Sequence, residues 1–107
     1  MSVLDEIAAE RRRQIEAEGW TPEHDDAHAI GSMAVAAAIY ALHSTRAWWQ
    51  MPSVIDEVRR RLWPWEWSWW KPKDPRRDLI RAAALIVAEI ERLDRAAERG
   101  EGGNDGG

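Results

Sequence analysis

The chain has 107 residues, enough for one domain with a small core. Its net charge is −4, with 45% hydrophobic residues, 32% charged residues and no Cys. That composition excludes a disulfide framework, a thiolate metal site and a thiol nucleophile, and it argues against duplex DNA as a partner of the whole surface. No apolar run approaches the ~20 residues that cross a bilayer, and the opening MSVLDEIAAE lacks the apolar centre of a signal peptide. The expected setting is therefore cytoplasmic, with no membrane partner.

Residues 2–18 read as an amphipathic helix, with Leu4, Ile7, Ala8 and Ile15 at helical spacing and Arg11 in the middle of that stripe. Arg11 either lays its stem on the core and finds a carboxylate, or points into a pocket. Glu10, Arg12, Arg13 and Glu16 read as a solvated face. Gly19 suits a left-handed helix end. Thr21, Pro22 and Glu23 then supply an N-cap, an N1 proline and a first-turn acid for a second helix.

That second helix is expected to run from Pro22 to about His43. Its start holds Glu23, His24, Asp25, Asp26 and His28, a cluster that either complements the helix dipole or binds a ligand. From Ala27 onward it is rich in small residues and apolar nearly all round, the pattern of a central helix. Trp48 and Trp49 lie in the next connection. Pro52 opens a third helix, with Val54, Ile55, Val58 and Leu62 on one stripe, and Pro64 closes it.

The stretch Leu62–Asp78 is the most unusual. It holds five of the eight Trp, three of the five Pro, and the cations Lys71, Lys73, Arg76 and Arg77. The alternation of Trp63, Trp65, Trp67 and Trp69 with Pro64, Glu66 and Ser68 suggests an extended segment laid across the helices, since no second strand is present to pair with it. Indoles beside cations suit a nucleotide; indoles over helices equally make a structural cover. Asp74 and Pro75 cap the last helix, whose expected buried stripe is Leu79, Ala82, Ala83, Ile86, Ile90, Leu93 and Ala97. Residues 1–99 form the expected domain, and the Gly-rich acidic tail 100–107 is expected to be disordered.

No Ser lies in a nucleophile elbow and no Gly-rich phosphate loop is present. His24 and His28 share a helix face but lack the glutamate of the HExxH pattern. Mg²⁺ held by Asp25, Asp26, Asp78 and Glu89 is the more natural metal reading, because Mg²⁺ takes one or two carboxylates plus substrate phosphates.

The strings ERRRQIEAEGWTPEHDDAH and WPWEWSWWKPKDPRRDLIRAAALIVAEIERLDRA resemble a small α-helical family of bacteriophages and prophages, over nearly the whole chain except the tail. The resemblance implies a phage origin and no particular mechanism. A weaker likeness is to the all-α MazG-type nucleotide pyrophosphohydrolases, which bind Mg²⁺ through E-x-x-E and E-x-x-D pairs. Here Glu91 and Asp94 have that E-x-x-D spacing, but far down the last helix and without an E-x-x-E partner on a neighbouring core face.

The expectation is an all-α, compact helical bundle of three long helices and one short, with the Trp/Pro-rich segment packed across it, forming a homo-oligomer. The leading functional reading is a phage-type accessory protein that binds, and sequesters as an anti-defence device, a nucleotide or nucleotide-derived signal. Trp69 or Trp70 would stack on the base, Lys71, Lys73, Arg76 or Arg77 would hold phosphate, and Arg11, His24, Asp25 and His28 would complete the polar wall. The alternatives are a Mg²⁺-dependent pyrophosphohydrolase and a protein-interaction module docking through its Trp face.

Overall fold

A computed structural model describes residues 1–27, 31–46 and 52–100. Among these the chain is all-α, with helices α1 (Val3–Glu18), α2 (Pro22–Ala27), α3 (Ser32–His43), α4 (Pro52–Leu62) and α5 (Pro75–Glu98), and no strand. His28, Trp48, Trp49 and the Gly-rich tail from residue 101 lie outside the described residues.

Local chemistry sets most of these ends. Ser2 and Asp5 form a reciprocal capping box, Ser2 Oγ accepting from the Asp5 amide at 3.1 Å and Asp5 Oδ2 from the Ser2 amide at 3.2 Å. Gly19 ends α1 at φ 76°, and the Trp20 amide turns back to the Gln14 carbonyl at 3.0 Å. Thr21 Oγ1 accepts from the His24 amide at 3.2 Å, and Asp74 Oδ1 from the Arg77 amide at 2.8 Å. Both caps precede a proline at the first helical position, as the sequence suggests.

The expected single helix from Pro22 to His43 is two helices. Gly31 has φ 86° and forms the left-handed N-cap of α3. A residue with a Cβ pays about 1–2 kcal/mol in that conformation, whereas Gly does not. Gly31 thus starts the Ala-rich α3 as an element separate from the acidic α2, which ends at Ala27.

α5 is the spine, packing most extensively on α3 and then on α1. Small residues let α3 and α5 approach: Ala36, Ala37, Ala82, Ala84 and Ala88 are almost wholly buried, with Leu85 and Tyr40 filling the space between them. Trp20, Ile39 and Trp63 complete this core, and Trp65, Trp69 and Trp70 pack against it. The Trp segment lies over the bundle as expected, but it is not extended throughout. The Trp69 amide bonds the Glu66 carbonyl and the Trp70 amide the Trp67 carbonyl, each at 3.0 Å, closing a 3-10 turn at Trp67–Trp69.

Two buried faces differ from those expected. On α1, Glu10, Arg11 and Gln14 are buried, while Leu4 and Ala8 are exposed. Glu10, expected in solvent, sits instead among cations. Arg13 Nε donates to it at 2.8 Å, Arg77 reaches it from α5, and Arg81 Nε lies 3.9 Å away. On α5 the inward face is Asp78, Leu85, Ala88, Glu89 and Arg92, whereas Leu79, Ile86, Ile90 and Leu93 of the expected stripe are half exposed. Glu6 and Glu10 of α1 pair with Arg76, Arg77 and Arg81 of α5, forming a polar layer between the two helices.

Candidate functional site

Trp20 and Trp63 organise the aromatic cluster. Trp63 meets Trp65 edge-on at 5.5 Å, Trp70 edge-on at 5.0 Å and Tyr40 edge-on at 5.7 Å between ring centres, and stacks on Trp67 at 6.3 Å. Trp20, carried by the turn after α1, meets Trp65 at 5.1 Å and Trp69 at 5.5 Å. The His24 ring lies parallel to Trp20, 6.5 Å away. Aromatic pairs in such edge-on and tilted arrangements contribute about 0.5–1.5 kcal/mol each beyond their buried area.

These rings enclose an open cleft of about 300 Å³, lined by Trp20, His24, Pro64, Trp65, Glu66 and Trp69. The position of the Trp segment is fixed by Tyr40, whose hydroxyl donates to the Trp69 carbonyl at 3.2 Å and accepts from the Lys71 amide at 2.9 Å. Burial pushes the Tyr40 hydroxyl above its ordinary pKa, against the pull of the Lys71 amide. It remains the neutral group that can both donate and accept.

Behind His24 lies a buried ion pair. His24 Nδ1 is 3.4 Å from Asp25 Oδ1, and Asp25 Oδ2 accepts from Arg11 Nη2 at 3.0 Å. Arg11 also donates to the Trp20 carbonyl at 3.2 Å and to Glu91 at 3.3 Å. Burial raises the Asp25 carboxyl above its ordinary value, with Arg11 and His24 opposing the shift. The chain His24–Asp25–Arg11 orients the imidazole at the cleft wall through a carboxylate that is itself held by a guanidinium.

Lys71 stands beside this cleft. Its Nζ is 5.2 Å from the centre of the Trp69 ring, a cation–π contact, and 3.2 Å from Glu18 Oε1. The other expected site residues are dispersed. Trp70 faces away from the cleft, against Tyr40 at 4.7 Å and His43 at 5.1 Å. Arg76 forks onto Glu6 at 2.7 and 2.8 Å, and Arg77 binds Glu10. Lys73 lines a separate hollow of about 220 Å³ with His43, Arg46 and Asp78.

The four carboxylates considered for Mg²⁺ are engaged separately. Asp25 pairs with Arg11. Asp26 pairs with Arg95 at 2.9 Å and Arg99 at 3.3 Å. Asp78 accepts from the Lys73 amide at 2.8 Å, and Glu89 takes both ends of Arg92 at 2.9 Å. Among the described residues, no three His, Cys, Asp or Glu side chains form a group able to hold a metal.

The sequence reading missed Trp20, Trp65 and Glu66 as cleft residues. The EGW turn after α1 was the available signal: a left-handed glycine followed by a large aromatic carries that ring back over the helix start that follows. Comparison of the chain with family models, curated proteins and solved structures gave no match.

Proposed function

We propose that the Trp20–Trp65–Trp69 cleft binds a small flat aromatic ligand, best supplied by the base of a nucleotide or nucleotide-derived signal. The observation that carries this reading is the convergence of three indoles and an imidazole on one open cleft of about 300 Å³. That volume is at the lower end for ligand sites and suits a base rather than a whole nucleotide. Stacking a base on one indole contributes about 1–3 kcal/mol. Glu66 supplies an acceptor for an exocyclic amine, and His24, held by Asp25, supplies a second polar edge.

The phosphate portion would extend outside the cleft toward Lys71, the cation already poised over Trp69. Arg76 and Arg77 do not belong to this reading, because neither lines the cleft or lies over one of its rings; they pair with Glu6 and Glu10, whereas Lys71 lies over Trp69 while pairing with Glu18. With the resemblance to phage proteins, the purpose that fits is capture of a host signalling nucleotide by an accessory protein. A hydrolase reading gains no support from carboxylates that are each engaged apart from the others. A docking role for the Trp face is favoured by one residue, Trp67, which is half exposed and stacks on Trp63.

Titration of intrinsic Trp fluorescence and thermal-shift measurements with a panel of mono-, di-, tri- and cyclic nucleotides test the proposal. The expected result is quenching and a raised Tm with at least one class, lost in Trp69→Leu and weakened in Lys71→Ala. No response to any member of the panel overturns it.

A further inference from the structure

One face of α5 carries a regular apolar pattern that the described residues leave about half exposed. Leu79, Ala83, Ile86, Ile90, Leu93 and Ala97 follow one another at alternating steps of four and three residues. That is an unbroken heptad seam, and it runs ~27 Å at 1.5 Å per residue. Its four large members are 48–52% exposed. The opposite face of the helix is fully occupied: Leu85 and Ala88 are buried to 1% or less beside α3, and Arg77 and Arg81 turn to Glu10 of α1. The helix cannot rotate to bury the seam without exposing that core and breaking those ion pairs. A lone exposed Leu is ordinary; a continuous apolar line at coiled-coil spacing marks an interface.

We infer that this seam is the homodimer interface, and that the occupant is α5 of a second copy running antiparallel. Shape complementarity supports this pairing. In an antiparallel arrangement Leu79 of one copy faces Ala97 of the other, Ala83 faces Leu93, and Ile86 faces Ile90. All six seam residues are used, and at both outer layers a large side chain meets a small one, so the two helices interlock without a void.

An antiparallel pair also opposes the two helix dipoles, which a parallel pair would align. The seam is distinct from the aromatic cleft, so it is tested without reference to any ligand.

Sedimentation equilibrium on the full chain is expected to give twice the 12.3 kDa chain mass at micromolar concentration. Ile86→Glu and Ile90→Glu are each expected to raise the dissociation constant on the order of 100-fold, because each places a charge in the centre of the seam. Both positions are half exposed within one copy, so circular dichroism should retain full helicity in these variants.

Direction is read by cross-linking, which the absence of native Cys makes clean. Leu79→Cys mixed with Ala97→Cys should yield a mixed disulfide dimer on air oxidation, with little self-linked product from either alone. A monomer at tens of micromolar, a dimer indifferent to both Ile→Glu variants, or self-linking of Leu79→Cys in preference to the mixed product would each overturn the inference. So would a seam covered only by a different co-purifying protein.

Discussion

Arg11 Nη2 donates to Asp25 Oδ2 across 3.0 Å, with both side chains shut away from water. This pair joins α1 to α2 and sits directly behind the aromatic cleft. Removing one partner of a buried ion pair leaves an uncompensated charge, which costs about 3–5 kcal/mol. Arg11→Ala is therefore expected to lose about that much in urea unfolding, a large part of the 5–15 kcal/mol typical of a domain. Arg11→Met combined with Asp25→Leu should recover most of the loss, because neither charge is then buried. A double variant no more stable than Arg11→Ala would contradict this account.

The Trp residues should separate sharply by site. Trp63 is buried at the centre of the cluster, whereas Trp67 is half exposed. Trp63→Ala is expected to cost about 3–5 kcal/mol, in the range for emptying a large core position. Trp67→Ala should cost about 1 kcal/mol, chiefly its stacking on Trp63. Denaturant midpoints of the two variants decide this, and equal losses would mean that Trp67 is as deeply engaged as Trp63.

Tyr40→Phe tests how the cleft is held. The hydroxyl links α3 to both the Trp69 carbonyl and the Lys71 amide. Its removal should cost about 1–2 kcal/mol and leave the Lys71 amide without its partner. Hydrogen exchange at residues 69–71 should accelerate before the helices show any change. Unchanged exchange there would show that the ring packing alone positions the segment.

His43 and Glu10 give the expected pH dependence. Burial holds His43 below its ordinary value of 6.5, with the charges of Asp78, Arg46, Arg59 and Asp56 around it. A base depressed in the folded state contributes fully above its unfolded pKa, and that contribution is lost as pH falls below 6.5 toward the folded value. Burial alone would raise Glu10, but hydrogen bonds from Arg13 and the charges of Arg13, Arg77 and Arg81 hold it below 4.5. Its contribution is present above 4.5 and is lost as pH falls through the lower folded value. Urea midpoints should therefore decline as pH falls below 6.5, and decline again as it falls below 4.5. His43→Gln should flatten the first decline and leave the second.

Much of the fold is legible residue by residue. Gly19 as a helix end, Thr21–Pro22 and Asp74–Pro75 as helix starts, and the all-α character follow from local chemistry that needs no tertiary context. Gly31 was visible as well, but a glycine inside a helical pattern does not reveal its φ. The cleft was half legible: His24, Trp69 and Lys71 stood out by type and neighbourhood. Trp20 joined them because of where the turn after α1 sends its ring, and Trp65 because the segment after α4 lays it against Trp20. Trp70, Arg76 and Arg77 were separated from the cleft by partners distant in sequence, His43, Glu6 and Glu10.

The sequence by itself determined which segments are helical and where several of them begin and end, because caps, prolines and left-handed glycines act over a few residues. It also determined that α5 carries an unbroken apolar seam. Only the tertiary structure decided which faces turn inward. Glu10 and Arg11 on α1 are buried against partners on other helices, Arg77 and Asp25, while Asp78 and Glu89 on α5 are buried with local partners, the Lys73 amide and Arg92. With those charges inside, the seam from Leu79 to Ala97 is left facing outward.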